Sequence, residues 1–261
     1  MTDALPLRPP VVSVRSLSVG FHSNAGVFEA VKSLSFDVYA GKTLAIVGES
    51  GSGKSVSARA IMRLTDFSGG RIDAGAVEFQ SRSGPLDLVQ ATPERMRQIR
   101  GAEIAMIFQE PMTSLDPVFS IGDQIVETIL MHQPVTRPEA EAIALEMLEK
   151  VRIPYASNVM RQHPHQLSGG MRQRVMIAMA LANEPHLLIA DEAVDQPAAA
   201  AVRGLDRIAI GIDRREMGRA RNFAGNRGCA RRGTGWFAGG IVAARFFWIN
   251  QRRAFLNIFG V

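Results

Sequence analysis

The sequence predicts an α/β protein in which short buried strands deliver a phosphate-binding loop. Three observations carry this. Gly48-Glu49-Ser50-Gly51-Ser52-Gly53-Lys54-Ser55 matches G-x-x-x-x-G-K-[ST]. The apolar run 43–47 before it reads as a buried parallel strand and 56–64 after it as a helix, which is the context that loop requires. Far downstream, Leu187-Leu188-Ile189-Ala190 reads as a second short buried strand and ends on Asp191-Glu192.

Each element has a local reason. Val11 to Val14 and Leu34 to Val38 alternate as half-buried strands do, so residues 11–47 read as β-rich. Ala40-Gly41-Lys42 marks a turn into the loop strand. Glycines let backbone N–H groups approach phosphate oxygens, and the following helix N-terminus adds partial positive charge. Lys54 would reach the β- and γ-phosphates, and Ser55 would hold Mg²⁺. Ser68-Gly69-Gly70 breaks structure, and Ala76 to Phe79 reads as a strand. Pro93 to Arg100 reads as a helix start, Ile104 to Phe108 as a strand, and 121–132 and 137–152 as helices. In the last of these, Ala142, Leu145, Leu148 and Val151 follow helical spacing. Arg174 to Ala182 reads as a helix rich in Ala and Met, with Met171, Met176 and Met179 filling core space.

Composition sets the bounds. A length of 261 residues suits one α/β domain, or one domain with an appendage. The single cysteine, Cys229, leaves no disulfide framework and no cysteine cluster for a metal. Met1 to Pro10 lacks the apolar core of a secretory signal, and the apolar run 237–249 is too short to span a bilayer and carries Arg245. The net charge of +5 hides a division: residues 193–261 hold 12 Arg, no Lys and 4 acidic residues, so they carry +8 and residues 1–192 carry −3. Overall basicity suggests nucleic acid. Its confinement to one unusual segment argues against that partner.

Four more stretches line up behind the loop. Leu187 to Glu192 looks like a Walker B strand, and Leu167-Ser168-Gly169-Gly170-Met171 looks like the signature of ATP-binding cassette proteins. Ile107-Phe108-Gln109-Glu110-Pro111 looks like their Q-loop, and Leu17 to Phe21 like the strand that brings an aromatic to adenine. On these residues the chain resembles the ATP-binding cassette (ABC) family over Val11 to Glu192. Glu110-Pro111-Met112-Thr113-Ser114-Leu115-Asp116-Pro117 and Pro164-His165-Gln166-Leu167 narrow the resemblance to ATPase subunits of di- and oligopeptide importers, a group whose relatives carry nickel. The resemblance implies a P-loop NTPase fold with a mixed-sheet core, a β-rich N-terminal subdomain and a helical subdomain. It divides the cassette 1–192 into a core of 11–90 and 175–192 and a helical part at about 91–174.

The same resemblance implies ATP and Mg²⁺ as cofactors and assigns roles. Gly48, Glu49, Ser50, Gly51, Ser52, Gly53, Lys54 and Ser55 would bind nucleotide, with Phe21 on the adenine and Phe28 as the alternative; core packing explains either aromatic almost as well. Ser55, Gln109 and Asp191 would hold Mg²⁺, and Glu192 would act as general base or position the water, with Gln109 coupling the site to a membrane subunit. Ser168, Gly169 and Gly170 would open a helix, and Leu167, Ser168, Gly169, Gly170 and Met171 would meet the γ-phosphate of a second ATPase subunit, identical or not. Permease subunits would be direct partners and a solute-binding protein an indirect one, on the cytoplasmic face of the membrane. His163 and His165 lack an evident third ligand and read as surface.

After Glu192 the pattern stops. The family continues with a D-loop and later a strand followed by a switch histidine; here the chain reads Ala193-Val194-Asp195-Gln196-Pro197, and the last of five histidines is His186. The missing strand would lie between the loop strand and the Walker B strand. Its four or five apolar side chains are worth about 1.5–3 kcal/mol each, comparable with a whole domain's stability of roughly 5–15 kcal/mol. Candidates to replace it are 207–212 and 240–244. The segment 193–261 is read as an aberrant end, either a shifted reading frame or a basic extension. Three readings follow: an importer ATPase, a cassette that binds ATP and hydrolyses it poorly, or a fragment without a stable fold.

Overall fold

The computed structural model describes residues 9–23, 26–49, 51–108, 114–191 and, for the backbone, 208–211. Two sheets organise them. The first is antiparallel, with β1 (Val12–Ser23), β2 (Gly26–Val38), β4 (Gly70–Ser81) and β5 (Gly84–Asp87) in the order β2-β1-β4-β5. The second is parallel, with β3 (Leu44–Ala45), β6 (Ile104–Ile107), β7 (Leu187–Ala190) and β8 (Ile208–Gly211) in the order β3-β8-β7-β6.

The long first strand joins the two runs read separately, Val11 to Val14 and Leu17 to Phe21. Val12 and Val14 point inward, and strict alternation would send residues 16 and 18 after them. Ser16 instead adopts φ 46°, and the register shifts between Val14 and Leu17. One extra residue swaps the faces, so Leu17 and Val19 are the next buried pair.

The central parallel strands are buried on both sides. Ile104, Met106, Leu187 and Ile189 face one apolar cluster, and Ala105, Ile107, Leu188 and Ala190 the other. The first cluster lies under β1, β4 and α1 (Lys54–Ile61). The second is helical: α3 (Ile121–Leu130), α4 (Arg137–Lys150), α5 (Ala156–Val159) and α6 (Gly169–Leu181). Ile121, Ile125 and Ile129 form an i, i+4 stripe on α3, and Ala140, Ala144 and Leu148 form another on α4.

The remaining helix, α2 (Pro93–Ile99), packs with the first cluster through Met96 and Ile99, although it falls inside the expected helical part beginning at about 91. Arg100 explains this: its Nε donates to the Met62 carbonyl at 2.8 Å, pinning the end of α2 to the end of α1. Helical packing in the second cluster begins at Leu115.

The gap expected in the parallel sheet is filled by β8. Ile208 to Gly211 pair with Leu187 to Ala190 on one side, and Ile210 and Gly211 with Leu44 and Ala45 on the other, all parallel. The other candidate, 240–244, lies outside the described residues. The loop strand itself is shorter than its apolar run suggests: only Leu44 and Ala45 are strand, and Val47 is 56% exposed. Among the described strands it is the edge of the sheet, paired to β8.

Candidate phosphate-binding site

The loop between β3 and α1 is shaped by its glycines. Gly53 has φ +81°, and a Cβ there would lie 2.5 Å from the Ala30 carbonyl of β2. No side chain larger than hydrogen fits that turn. At Gly48 a Cβ would meet the Ser52 hydroxyl at 2.7 Å, so the loop closes tightly on itself. Helix α1 then starts at Gly53 with no side-chain cap and no acidic residue in its first turn. Its N–H groups and the positive end of its dipole are left for an anion.

Lys54 folds over the loop. Its Nζ donates to the carbonyls of Gly48 at 2.8 Å and Glu49 at 2.6 Å and to Ser52 Oγ at 3.1 Å. The ammonium is thus held at the loop rim, where it can exchange carbonyls for phosphate oxygens. Ser50 lies outside the described residues.

Asp191 closes the site from the end of β7. Its N–H donates to the Ile107 carbonyl at 3.0 Å, which fixes the residue beyond the strand. The side chain is fully buried, and neither carboxylate oxygen has a hydrogen-bond partner. Burial pushes its carboxyl above the ordinary range; the neighbouring Ser55 hydroxyl, Arg59 and Lys54 pull the other way. Ser55 exerts that pull without completing a hydrogen bond. An orphaned carboxylate beside a hydroxyl, next to an anion-binding loop, suits a hard divalent cation.

Sequence reasoning overlooked Arg59. Its Nη2 lies 3.9 Å from Asp191 Oδ2. The available signal was its place four residues after Ser55, hence on the same face of α1. Gln109 and Glu192 lie outside the described residues.

The signature residues sit on the helical cluster. Ser168 caps α6, its Oγ accepting from the Met171 N–H at 3.3 Å, so the helix opens at the signature glycines, five residues before the Ala- and Met-rich run that begins at Arg174. Ser168, Gly169 and Gly170 are exposed, Leu167 is buried, and Met171 packs against the helical cluster. Nothing lies within 4 Å of a Cβ placed on either glycine, so this helix start faces open space. His163 and His165 stack with ring centroids 5.6 Å apart. Phe21 stands opposite Phe28 on β2 and Gly70 on β4, and its ring lies over Gly70, where a Cβ would meet it at 3.0 Å. Phe28 is the more open of the two, at 37% exposure.

Comparisons with known proteins identify the family. The profile of the ABC transporter family matches residues 31–195. The glutathione import ATP-binding protein GsiA of Pectobacterium atrosepticum is 58% identical over 183 residues, covering 70% of this chain and 29% of that protein. GsiA of Escherichia coli strain K12 is 52% identical over the same coverage. The chain therefore spans 29% of the length of these curated relatives. Among solved structures, the ATP-binding cassette MJ0796, a dimer in a post-hydrolysis state with ADP and Pi, aligns with a TM-score of 0.65 at 22% identity, over 77% of this chain and 87% of that one. CbiO1 of Clostridium perfringens, part of the complex cbiONQ, aligns at 0.60 and 20% identity, over 79% and 78%. Matched across well over half its length, the chain belongs to the ABC transporter family.

Proposed function

We propose that this chain, a member of the ABC transporter family, is the ATP-binding and ATP-hydrolysing subunit that energises an importer of peptides or related small solutes. Glutathione, a peptide-like solute, is the leading candidate cargo, because the similar proteins GsiA are named for it. The observation that carries the reading is the pairing of an uncapped, glycine-shaped helix start with the orphaned carboxylate of Asp191. Residues 48–55 would bind the phosphates, with Lys54 leaving its loop carbonyls for phosphate oxygens. Ser55 and Asp191, with Gln109, would hold Mg²⁺, which offsets phosphate charge when bound. Glu192 would position or deprotonate the attacking water. Phe21 is the proposed adenine contact, and the exposed start of α6 at 168–171 the contact to the γ-phosphate of a second ATPase subunit. Permease subunits on the cytoplasmic face of the membrane would be the direct partners. Among the described residues no helix is long and apolar enough to cross a membrane. The cassette is proposed to occupy 1–192, with 193–261 a tail unlike the family that nonetheless lends β8 to the sheet.

A second reading has its own observation. No histidine follows His186, and no D-loop follows Glu192. The chain would then bind ATP and turn it over slowly. Steady-state ATPase rates of the full chain and of Glu192→Gln separate the two: a rate well above the variant's supports hydrolysis, and equal rates refute it. A cooperative melt raised by Mg-ATP and unmoved in Lys54→Ala supports binding; no shift in the unaltered chain refutes it.

A further inference from the structure

The charge beside Asp191 is unusual in having no hydrogen bond. Arg59 Nη2 stands 3.9 Å from Asp191 Oδ2, near enough for a strong field and too far for a bond. Arg59 Nε is itself buried without a partner, as are both carboxylate oxygens. Burial pushes the Asp191 carboxyl up, and Ser55, Arg59 and Lys54 oppose that. Four residues apart on α1, Ser55 and Arg59 flank Asp191 one turn apart.

We infer that Arg59 is the resident counter-charge of Asp191 and sets how much divalent cation this chain needs to hold a nucleotide. Without a cation, the guanidinium neutralises the buried carboxylate while leaving its lone pairs open. A guanidinium does not lose its proton in a protein, so its charge cannot be withdrawn by deprotonation. A cation held by Ser55 and Asp191 then binds against a fixed positive charge, and its affinity falls accordingly. Arg59 has somewhere to go: its side chain is 34% exposed, so the head can swing toward water when the cation arrives. This inference rests on the nucleotide-binding reading above.

The test is thermal unfolding of the full chain at fixed ATP, with Mg²⁺ titrated up from EDTA. In Arg59→Met the Mg²⁺ midpoint should fall about threefold to tenfold. Arg59→Gln, a second neutral variant, should move it the same way, and Arg59→Lys should stay near the unaltered chain. In EDTA without nucleotide, Arg59→Met should melt lower than the unaltered chain, and that loss should vanish in an Asp191→Asn background. Equal Mg²⁺ midpoints with and without Arg59, in a chain that Mg-ATP stabilises, overturn the inference alone. So does an EDTA loss that persists beside Asp191→Asn. No Mg-ATP shift in the unaltered chain removes the nucleotide-binding reading, and this inference with it.

Discussion

In the helical cluster, Asp123 accepts from the Ser120 hydroxyl at 2.7 Å and from Arg137 Nη2 at 2.6 Å. In the phosphate-loop region, Asp191 also has a serine and an arginine beside it and bonds to neither. The helix starts differ in the same way. In the helical cluster Ser120 and Ser168 each cap a helix through a side-chain oxygen, and Thr136 and Glu139 make a capping box. Only the single-turn α5 starts without a side-chain cap among its described helices, whereas α1 begins uncapped at Gly53. Where polar groups satisfy one another the region is finished by its own sequence. Where a helix start and a carboxylate are left unsatisfied within the same region, a ligand supplies what is missing.

The largest effect should come from breaking the finished region. Leu148→Ala opens a cavity in the helical cluster, where Leu148 is fully buried, and should cost about 2–5 kcal/mol in chemical denaturation. A loss under 1 kcal/mol would mean the helical cluster is loosely packed. Next, Gly53→Ala forces a side chain into positive φ against the Ala30 carbonyl and should cost roughly 1–3 kcal/mol. Nucleotide-induced stabilisation should fall with it, because the same glycine shapes the loop; unchanged stability would show that the turn relaxes freely.

A smaller effect of opposite sign tests Asp191. Replacing an unbonded buried charge by a neutral amide, Asp191→Asn should raise metal-free stability by about 1 kcal/mol, a rise of roughly 2–4 °C in melting. The increment added by Mg²⁺ at fixed ATP should disappear. A variant that melts lower without metal would mean that the attraction of Arg59 outweighs the cost of burying the carboxylate.

The smallest effect concerns Asp123. The Ser120 hydroxyl and then Arg137 hold its carboxyl below the usual range. A depressed folded-state pKa contributes stability that is full above the unfolded value and is lost as pH falls through the folded value. Melting from pH 7 down to pH 3 should therefore fall more steeply in the unaltered chain than in Asp123→Asn. Parallel curves would assign the acid sensitivity elsewhere.

How far the sequence reached depended on the range of the interaction that decides each feature. The strand at Leu187 to Ala190 was legible because all four residues are apolar, and all four are buried. The start of α6 was legible from the signature, which implied a helix opening at Ser168 to Gly170, and not from composition, which began the helix five residues late at Arg174; a single hydroxyl bond from Ser168 turns the two glycines into the first turn. The second half of β1 was legible only through the resemblance at Leu17 to Phe21, because the bulge at Ser16 cancels the alternation that marks a strand.

By itself the sequence determined the chemistry of this protein: the spacing of glycines before Lys54, the carboxylate at the end of an apolar strand, and the signature that names the family. These are local, since each depends on neighbours within a few residues. Only the tertiary structure decided which groups meet. It put Ile208 to Gly211 into the sheet between β3 and β7, left Asp191 without a hydrogen bond, and set Arg59 3.9 Å from it. Strand order and burial are sums over contacts distant in sequence, and a side chain's exposure is fixed only when those contacts have formed.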